Sequence, residues 1–115
     1  MNTFIIAAMS VPVALIQPAY ADLDSFLSDY KLVEEYSYTS SGDYIAVGLI
    51  TQPMFTLSGI TAYTKELEKK LREEFGYKDA VVTFDTDLVY RIKKLGKDGN
   101  ERDVLQIIET ARKRR

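Results

Sequence analysis

Two neighbouring stretches near the middle of the chain have the pattern of β-strands. Residues 32–39 are rich in Val, Tyr and Thr, residues 44–50 are an apolar run, and the Ser-Ser-Gly-Asp segment 40–43 separates them. Two strand-prone runs around such turn formers predict an antiparallel hairpin. Gly48 falls on one face of the second strand, where it indicates a bulge or a close backbone approach. The opposite, inward face is formed by Ile45, Val47 and Leu49.

A helical pattern follows the hairpin. Between Ile60 and Phe75, apolar residues recur at intervals of three and four, as in a helix that buries one face. The stripe consists of Ile60, Tyr63, Leu67, Leu71 and Phe75. The other positions of 65–74 are charged and form a solvated face. Ser58 is placed to cap the start of this helix and Gly76 to cap its end.

The C-terminal part of the chain predicts one more strand and two short helices. Residues 80–84 form the strand, and the preceding helix makes a right-handed crossover that leaves this strand parallel to its neighbour. Helices follow at residues 88–95 and after Asn100, which caps the last helix. The inward positions of the last helix are Val104, Leu105, Ile108 and Ala111.

Taken together, these elements predict an α+β fold for a single domain, residues 22–115. A short amphipathic helix at residues 23–30, with Asp22 and Asp24 placed to cap it, comes before the hairpin. The sheet has three strands: an antiparallel hairpin plus a strand added by a β-α-β crossover. We expect the helices to pack on one face of this sheet.

Residues 1–21 have the pattern of a secretory signal peptide. Residues 4–19 are uncharged and mostly apolar, and Ala19-Tyr-Ala21 is an Ala-x-Ala cleavage pattern. Pro12 and Pro18 interrupt a segment that is already short for a membrane span. We predict cleavage after Ala21 and an extracytoplasmic location: secreted, periplasmic or in the spore envelope. The alternative is an uncleaved leader that acts as an anchor; without it, membrane contact is expected to be peripheral.

The composition argues against an enzyme. None of the 115 residues is Cys or His, so there is no thiolate nucleophile, no imidazole base and no ligand of either kind for a metal. The sequence also contains no Gly-rich phosphate loop and no nucleophile motif. Asp85 and Asp87 are spaced like a metal site or an acid pair, but acids at a strand-to-helix junction are typical helix caps. We predict no catalytic residues, no cofactor and no bound metal.

Basic residues cluster at the C-terminal end of the sequence, over Arg112, Lys113, Arg114 and Arg115. Such a cluster can contact an anionic surface, for example lipid headgroups or a wall polymer. It can equally complement the negative end of a helix dipole. Four cations without interleaved aromatic residues do not indicate nucleic-acid binding.

The loop 51–58 is the candidate for binding a partner. Pro53 ends the preceding strand, and three apolar residues follow in a segment expected at the surface: Met54, Phe55 and Leu57. They form either a partner-binding surface or a hydrophobic staple, in which Leu57 packs beside the start of the helix. A second group, expected on the outer face of the hairpin as a ligand platform or as sheet-stabilising pairs, comprises Tyr36, Tyr38 and Tyr44.

Four stretches beyond the acidic first helix carry a family resemblance: Tyr44-Ile-Ala-Val-Gly-Leu49, Leu67-Glu-Lys-Lys-Leu71, Asp79-Ala-Val-Val-Thr83 and Asp85-Thr-Asp-Leu-Val-Tyr-Arg-Ile92. In these stretches the chain resembles the YhcN/YlaJ-type sporulation lipoproteins of endospore-forming bacteria, over residues 23–100. The resemblance implies an extracytoplasmic protein of spore or germination envelopes, with no catalytic residue to transfer. The chain departs from the family in lacking the Cys that carries the lipid anchor and the long polar linker.

These observations lead to two expected functions. The first is a non-catalytic accessory or structural protein of the cell or spore envelope, associated with sporulation or germination. Its partner would be another envelope protein or an anionic envelope surface, and not a nucleic acid. The alternative is a protein–protein adaptor that binds through the loop 51–58 or through a sheet edge, because unpaired edges accept further strands.

Overall fold

The computed structural model describes residues 22–115, so the predicted signal peptide at 1–21 lies outside the described residues. The elements are α1 (Leu23–Asp29), β1 (Val33–Ser41), β2 (Tyr44–Thr51), α2 (Leu57–Glu73), β3 (Asp79–Thr83), α3 (Thr86–Leu95) and α4 (Glu101–Lys113). The predicted α+β fold is confirmed, with every predicted element in its place. Helix α2 begins three residues earlier than predicted because Thr56, and not Ser58, caps it: its hydroxyl accepts a hydrogen bond of 3.0 Å from the Gly59 N–H.

The sheet has the predicted topology, in the order β1-β2-β3. Strands β1 and β2 are antiparallel across a two-residue turn, where Gly42 takes the positive φ (53°) that this tight connection requires. Strands β2 and β3 are parallel, with Tyr44 opposite Asp79 and Gly48 opposite Thr83. Consequently the C-terminal ends of β2 and β3 lie at the same end of the sheet as the start of β1.

The helices pack on both faces of the sheet, and not on one face as predicted. Helices α1 and α2 cover the face that carries Ile45, Val47 and Leu49, while α3 and α4 cover the face of Ala46 and Val81. The physical reason lies in β2, where residues 45–49 are apolar at every position and all are buried. A strand without polar residues on either side buries both sides.

The close approach predicted at Gly48 is present, and it is made by α3. A Cβ at this position would lie 3.0 Å from Cγ2 and 3.2 Å from Cα of Val89. The irregularity of the hairpin lies elsewhere, between Val33 and Glu35. The absence of a side chain at Gly48 therefore allows α3 to rest against the middle of the sheet.

Helix α4 buries a slightly different face from the predicted one. Val104, Ile108 and Ala111 are buried as expected, but Ile107 is fully buried and Leu105 only half-buried. Asn100 caps the helix as predicted, accepting a hydrogen bond of 2.9 Å from the Asp103 N–H. The cap sets where α4 begins, and the packing against Ala46 and Val81 sets its rotation.

Candidate partner-binding surface

The loop between β2 and α2 presents two apolar side chains to solvent. Phe55 is 95% exposed and Leu57 is 79% exposed, whereas Met54 is half-buried against the core formed with α1 and α2. The structure therefore separates the three predicted residues into one that packs inward and two that do not. Leu57 does not make the staple contact that the sequence left open, since most of its surface faces water.

Two more exposed apolar residues lie at the same end of the sheet. Ile50, near the end of β2, is 44% exposed, and Leu32, just before β1, is 36% exposed. The Gln52 N–H donates a hydrogen bond of 2.8 Å to the Leu32 carbonyl, which ties the beginning of β1 to the loop. We call this end of the domain, which exposes Leu32, Ile50, Phe55 and Leu57, the apolar end. Sequence patterns did not identify Leu32 or Ile50, because both belong to strand-like runs.

The backbone at Leu32 is held in a conformation that leucine rarely adopts, with φ 69°. Several contacts impose it. The Tyr63 hydroxyl donates to the Lys31 carbonyl at 2.7 Å, the Lys31 ammonium pairs with Glu66 at 3.0 Å, and the Val33 N–H donates to the Tyr30 carbonyl at 3.2 Å. Non-glycine residues in this region persist only where their surroundings enforce them, and they cluster at functional sites. The strained turn is thus a second feature that marks the apolar end.

A groove adjoins the apolar end, between the start of α2, the end of β3 and the end of α4. Its volume is about 460 Å³. The apolar part of its lining includes Leu57, Ile60, Phe84 and Ala111, and the basic residues of its lining are Lys65, Arg114 and Arg115. Leu57 belongs both to the groove and to the apolar end, so the two features adjoin at this residue.

The loop and the first two turns of α2 carry no charge, whereas the adjoining groove is lined by Lys65, Asp85, Arg114 and Arg115. No residue from 44 to 64 is charged, although 28% of the whole chain is. On α2 the contrast falls within one helix. The exposed residues of its first two turns are uncharged, among them Ser58, Thr61 and Ala62, whereas the later turns expose most of the charged residues predicted to face solvent. Glu68 is the exception: it was predicted on the solvated face but is buried. A helix face that is exposed only to water usually carries charged and polar residues along its whole length. The uncharged start of α2 therefore favours contact with a partner there.

The outer edge of β3 is closed by side chains. The Ala80 N–H donates to the Asp79 carboxylate at 2.9 Å, and the Ala80 carbonyl accepts from Arg112 at 3.2 Å. Two residues further along the strand, the Val82 N–H donates to the buried Glu68 at 2.8 Å, and the Val82 carbonyl accepts from Arg115 at 2.9 Å. All four outward backbone groups at these two residues have partners, so no further strand can pair here without displacing them.

The basic cluster at 112–115 takes part in this closure. Arg112 makes a bidentate pair with Asp79, at 2.6 and 2.7 Å, and its hydrogen bonds hold the pKa of that carboxyl below its usual value. Arg115 pairs with Glu68, and Lys113 lies 3.7 Å from Glu109. The pairs of Arg112 and Arg115 direct these two cations towards the domain itself, whereas Lys113 stays exposed on the surface of α4. Contact with an anionic surface stays a prediction for Arg112, Lys113, Arg114 and Arg115.

The two acids Asp85 and Asp87 meet the same cluster. Asp85 stands at the first, capping position of α3 as predicted, but its side chain makes no capping hydrogen bond. Instead, Arg114 lies 3.4 Å from Asp85 and 2.9 Å from Asp87, and this hydrogen bond lowers the pKa of Asp87. Within residues 22–115, no group of three or more acidic, His or Cys side chains is placed to hold a metal ion.

The tyrosines of the hairpin lie on opposite faces and do not form one platform. The hydroxyls of Tyr36 and Tyr38 donate to the Asp24 carboxylate, at 2.8 and 3.3 Å, and Lys97 completes the cluster at 3.0 Å from Asp24. The hydrogen bond from Tyr36 is the main cause that lowers the pKa of Asp24. Tyr44 packs on the other side, near α3 and α4. Asp24 thus links α1 to β1, and it does not cap α1 as the sequence suggested.

The outer edge of β1 is covered in part by the turn after α3. The Ser40 N–H donates to the Lys97 carbonyl, and the Gly99 N–H donates to the Ser40 carbonyl, both at 2.9 Å. The side chain of Lys97 also reaches across to Asp24 beside the Tyr38 ring. Within the described part of the chain, this edge is therefore guarded by a lysine and by backbone hydrogen bonds at its C-terminal end.

None of the helices in residues 22–115 is both long enough and apolar enough to cross a membrane. Comparison with protein-family models, with curated proteins and with solved structures finds no match for this chain. The resemblance to the sporulation lipoproteins therefore stays a prediction.

Proposed function

We propose that this chain is a non-catalytic binding domain of the cell or spore envelope, and that a protein partner packs on its apolar end. The observation that carries the proposal is the exposure of Phe55 and Leu57. Burying such side chains is worth about 1.5–3 kcal/mol each. In the isolated domain this free energy is not used, and contiguous exposed apolar surface typically marks an interaction site.

The loop is a better candidate for binding than the sheet edges. Hydrogen bonds to Glu68 and from Arg112 and Arg115 occupy the outward backbone groups of β3, and a partner strand would have to break them. At the apolar end nothing needs to be displaced. Of the two routes open to an adaptor, the geometry thus favours the loop.

The envelope setting rests on the sequence. Residues 1–21 have the pattern of a signal peptide, and the resemblance to sporulation lipoproteins implies the same compartment. The proposal of a non-catalytic role rests on the absence of Cys and His and on the pairing of Asp85 and Asp87 with one arginine. A sporulation- or germination-associated structural role fits these features.

Site-specific photocrosslinking in cells that produce the protein tests the proposal. A photoreactive phenylalanine analogue at position 55 should give one discrete crosslinked product in the extracytoplasmic fraction, and Leu57→Asp should abolish it. The matched control is the same analogue at Tyr90, an aromatic residue of α3 that is 61% exposed. Identical products at both positions, or none at 55, would refute binding through the apolar end, and recovery of the protein from the cytoplasm alone would refute the setting.

A further inference from the structure

The apolar end combines a projecting aromatic ring with a groove suited to receive one. We propose that the partner is a second copy of this chain, related by a two-fold axis, with Phe55 of each copy inserted into the groove of the other. This inference rests on the proposed function, because it names the partner of the same surface.

The first argument is the placement of the ring and the groove. Leu57 lines the groove, and the Cα of Phe55 lies within about 7 Å of that of Leu57, since two residues span no more. Phe55, at 95% exposure, makes almost no contact with its own chain. A two-fold dimer requires that both halves of the contact lie on one face of one chain, and here they are adjacent.

The second argument is the fit of the groove to an aromatic ring. A cavity of about 150 Å³ accommodates benzene, and the groove, at about 460 Å³, is larger. Its lining combines the apolar side chains of Ile60 and Phe84 with Lys65, which has no ion-pair partner among the described residues. An ammonium group beside an aromatic face is a favourable contact, so the aromatic side chain of a second copy suits this groove.

The third argument is the small number of unpaired charges. Contact between two identical surfaces brings like charges near one another, so such a surface should leave few charges uncompensated. Residues 44–64 carry no charge. Of the cations that line the groove, Arg114 pairs with Asp85 and Arg115 with Glu68, which leaves Lys65 to face the incoming ring.

The available area suits a weak dimer. An aromatic side chain buries about 150–250 Å². In a dimer, Phe55 and Leu57 of both copies and the groove walls that they cover would bury roughly 1,000 Å² of accessible surface in total. This area is near the lower limit for specific interfaces. We therefore expect a dimer that forms in the micromolar range or above and dissociates on dilution.

Sedimentation equilibrium of the full-length protein between about 5 and 500 μM tests the inference. We expect the mass to rise from that of one chain towards that of two. Phe55→Asp removes the ring, and Thr61→Trp fills the groove from an exposed position; each should weaken association at least tenfold. Tyr90→Asp is the control and should leave it unchanged. Every variant has the same N-terminus, so association through residues 1–21 would be common to all of them.

Mixing the two variants provides a sharper test. The Phe55→Asp chain has an intact groove and the Thr61→Trp chain has an intact ring, so their mixture can form one of the two contacts that neither variant forms alone. We expect the mixture to associate more strongly than either variant. Circular dichroism of each variant must match the wild type, which excludes loss of folding as the cause.

The outcomes separate this inference from the proposed function. A wild-type chain that stays monomeric at 500 μM, or a dimer that neither variant weakens, would overturn the second copy as partner. If crosslinking at position 55 then captured a different protein, binding through the apolar end would stand and only the inference would fall. A crosslinked product with twice the mass of the chain supports both.

Discussion

Glu68 is the buried carboxylate that closes the outer edge of β3, and its replacement should be costly. Its side chain is 6% exposed and accepts the Val82 N–H at 2.8 Å while pairing with Arg115. In Glu68→Ala the N–H of Val82 loses a charged acceptor, which costs about 1.5–3 kcal/mol. Arg115 is 39% exposed, so loss of the ion pair adds less than about 1 kcal/mol. Relief of carboxylate desolvation offsets part of the loss, which leaves a net destabilisation of about 2 kcal/mol.

Urea denaturation, followed by far-UV circular dichroism, measures this change. With a denaturant slope of about 1.5 kcal/mol per molar, the midpoint for Glu68→Ala should fall by more than 1 M. Glu68→Gln keeps an oxygen that can accept from Val82 and should lose about half as much. Glu73→Ala, on the exposed face of the same helix, is the control and should stay within about 0.5 kcal/mol of the wild type. An unchanged midpoint for Glu68→Ala, or equal losses for the Ala and Gln variants, would refute edge closure as the source of stability.

Two further predictions concern stability. Gly48→Ala places a Cβ 3.0 Å from Cγ2 of Val89 and should cost about 1–3 kcal/mol, so a melting temperature within a degree of the wild type would contradict the close packing of α3. Burial raises the pKa of both Tyr38 and Tyr63 from 10.0 to about 12, so the folded protein holds these protons more tightly than the unfolded chain. The contribution of these two tyrosines to the free energy of unfolding is therefore fully present below pH 10 and should be lost as the pH rises from 10 to 12. Urea midpoints that do not change over this range would disprove the linkage.

Local patterns in the sequence identified the elements but not the layers. The apolar positions of the hairpin and of α2 follow periods of two and of about 3.6, and such periods reflect local geometry. That both faces are covered does have a sequence signal, because residues 45–49 of β2 are apolar at every position. Which helices cover which face, with α3 and α4 against Ala46 and Val81, has no local signal. The rotation of α4 towards Ile107 follows from that packing and has no local signal.

The candidate surface was predicted only in part for the same reason. Phe55 and Leu57 were identifiable because apolar residues in a loop stand out from their neighbours. Leu32 joins them only through strand pairing and a turn held by Tyr63. The partners of Arg112 were beyond sequence reasoning, because its acceptors lie 32 and 33 residues away and meet it only in the folded domain.

The closure of the β3 edge also orders events during synthesis on the ribosome. The arginines that complete it are translated about thirty residues after the strand that they protect. While α4 is still inside the exit tunnel, Asp79 and Glu68 can already bind the outward N–H groups of β3, but the outward carbonyls of Ala80 and Val82 have no arginine to bind them. The β3 edge is therefore fully closed only after Arg112 and Arg115 have been translated and α4 has folded.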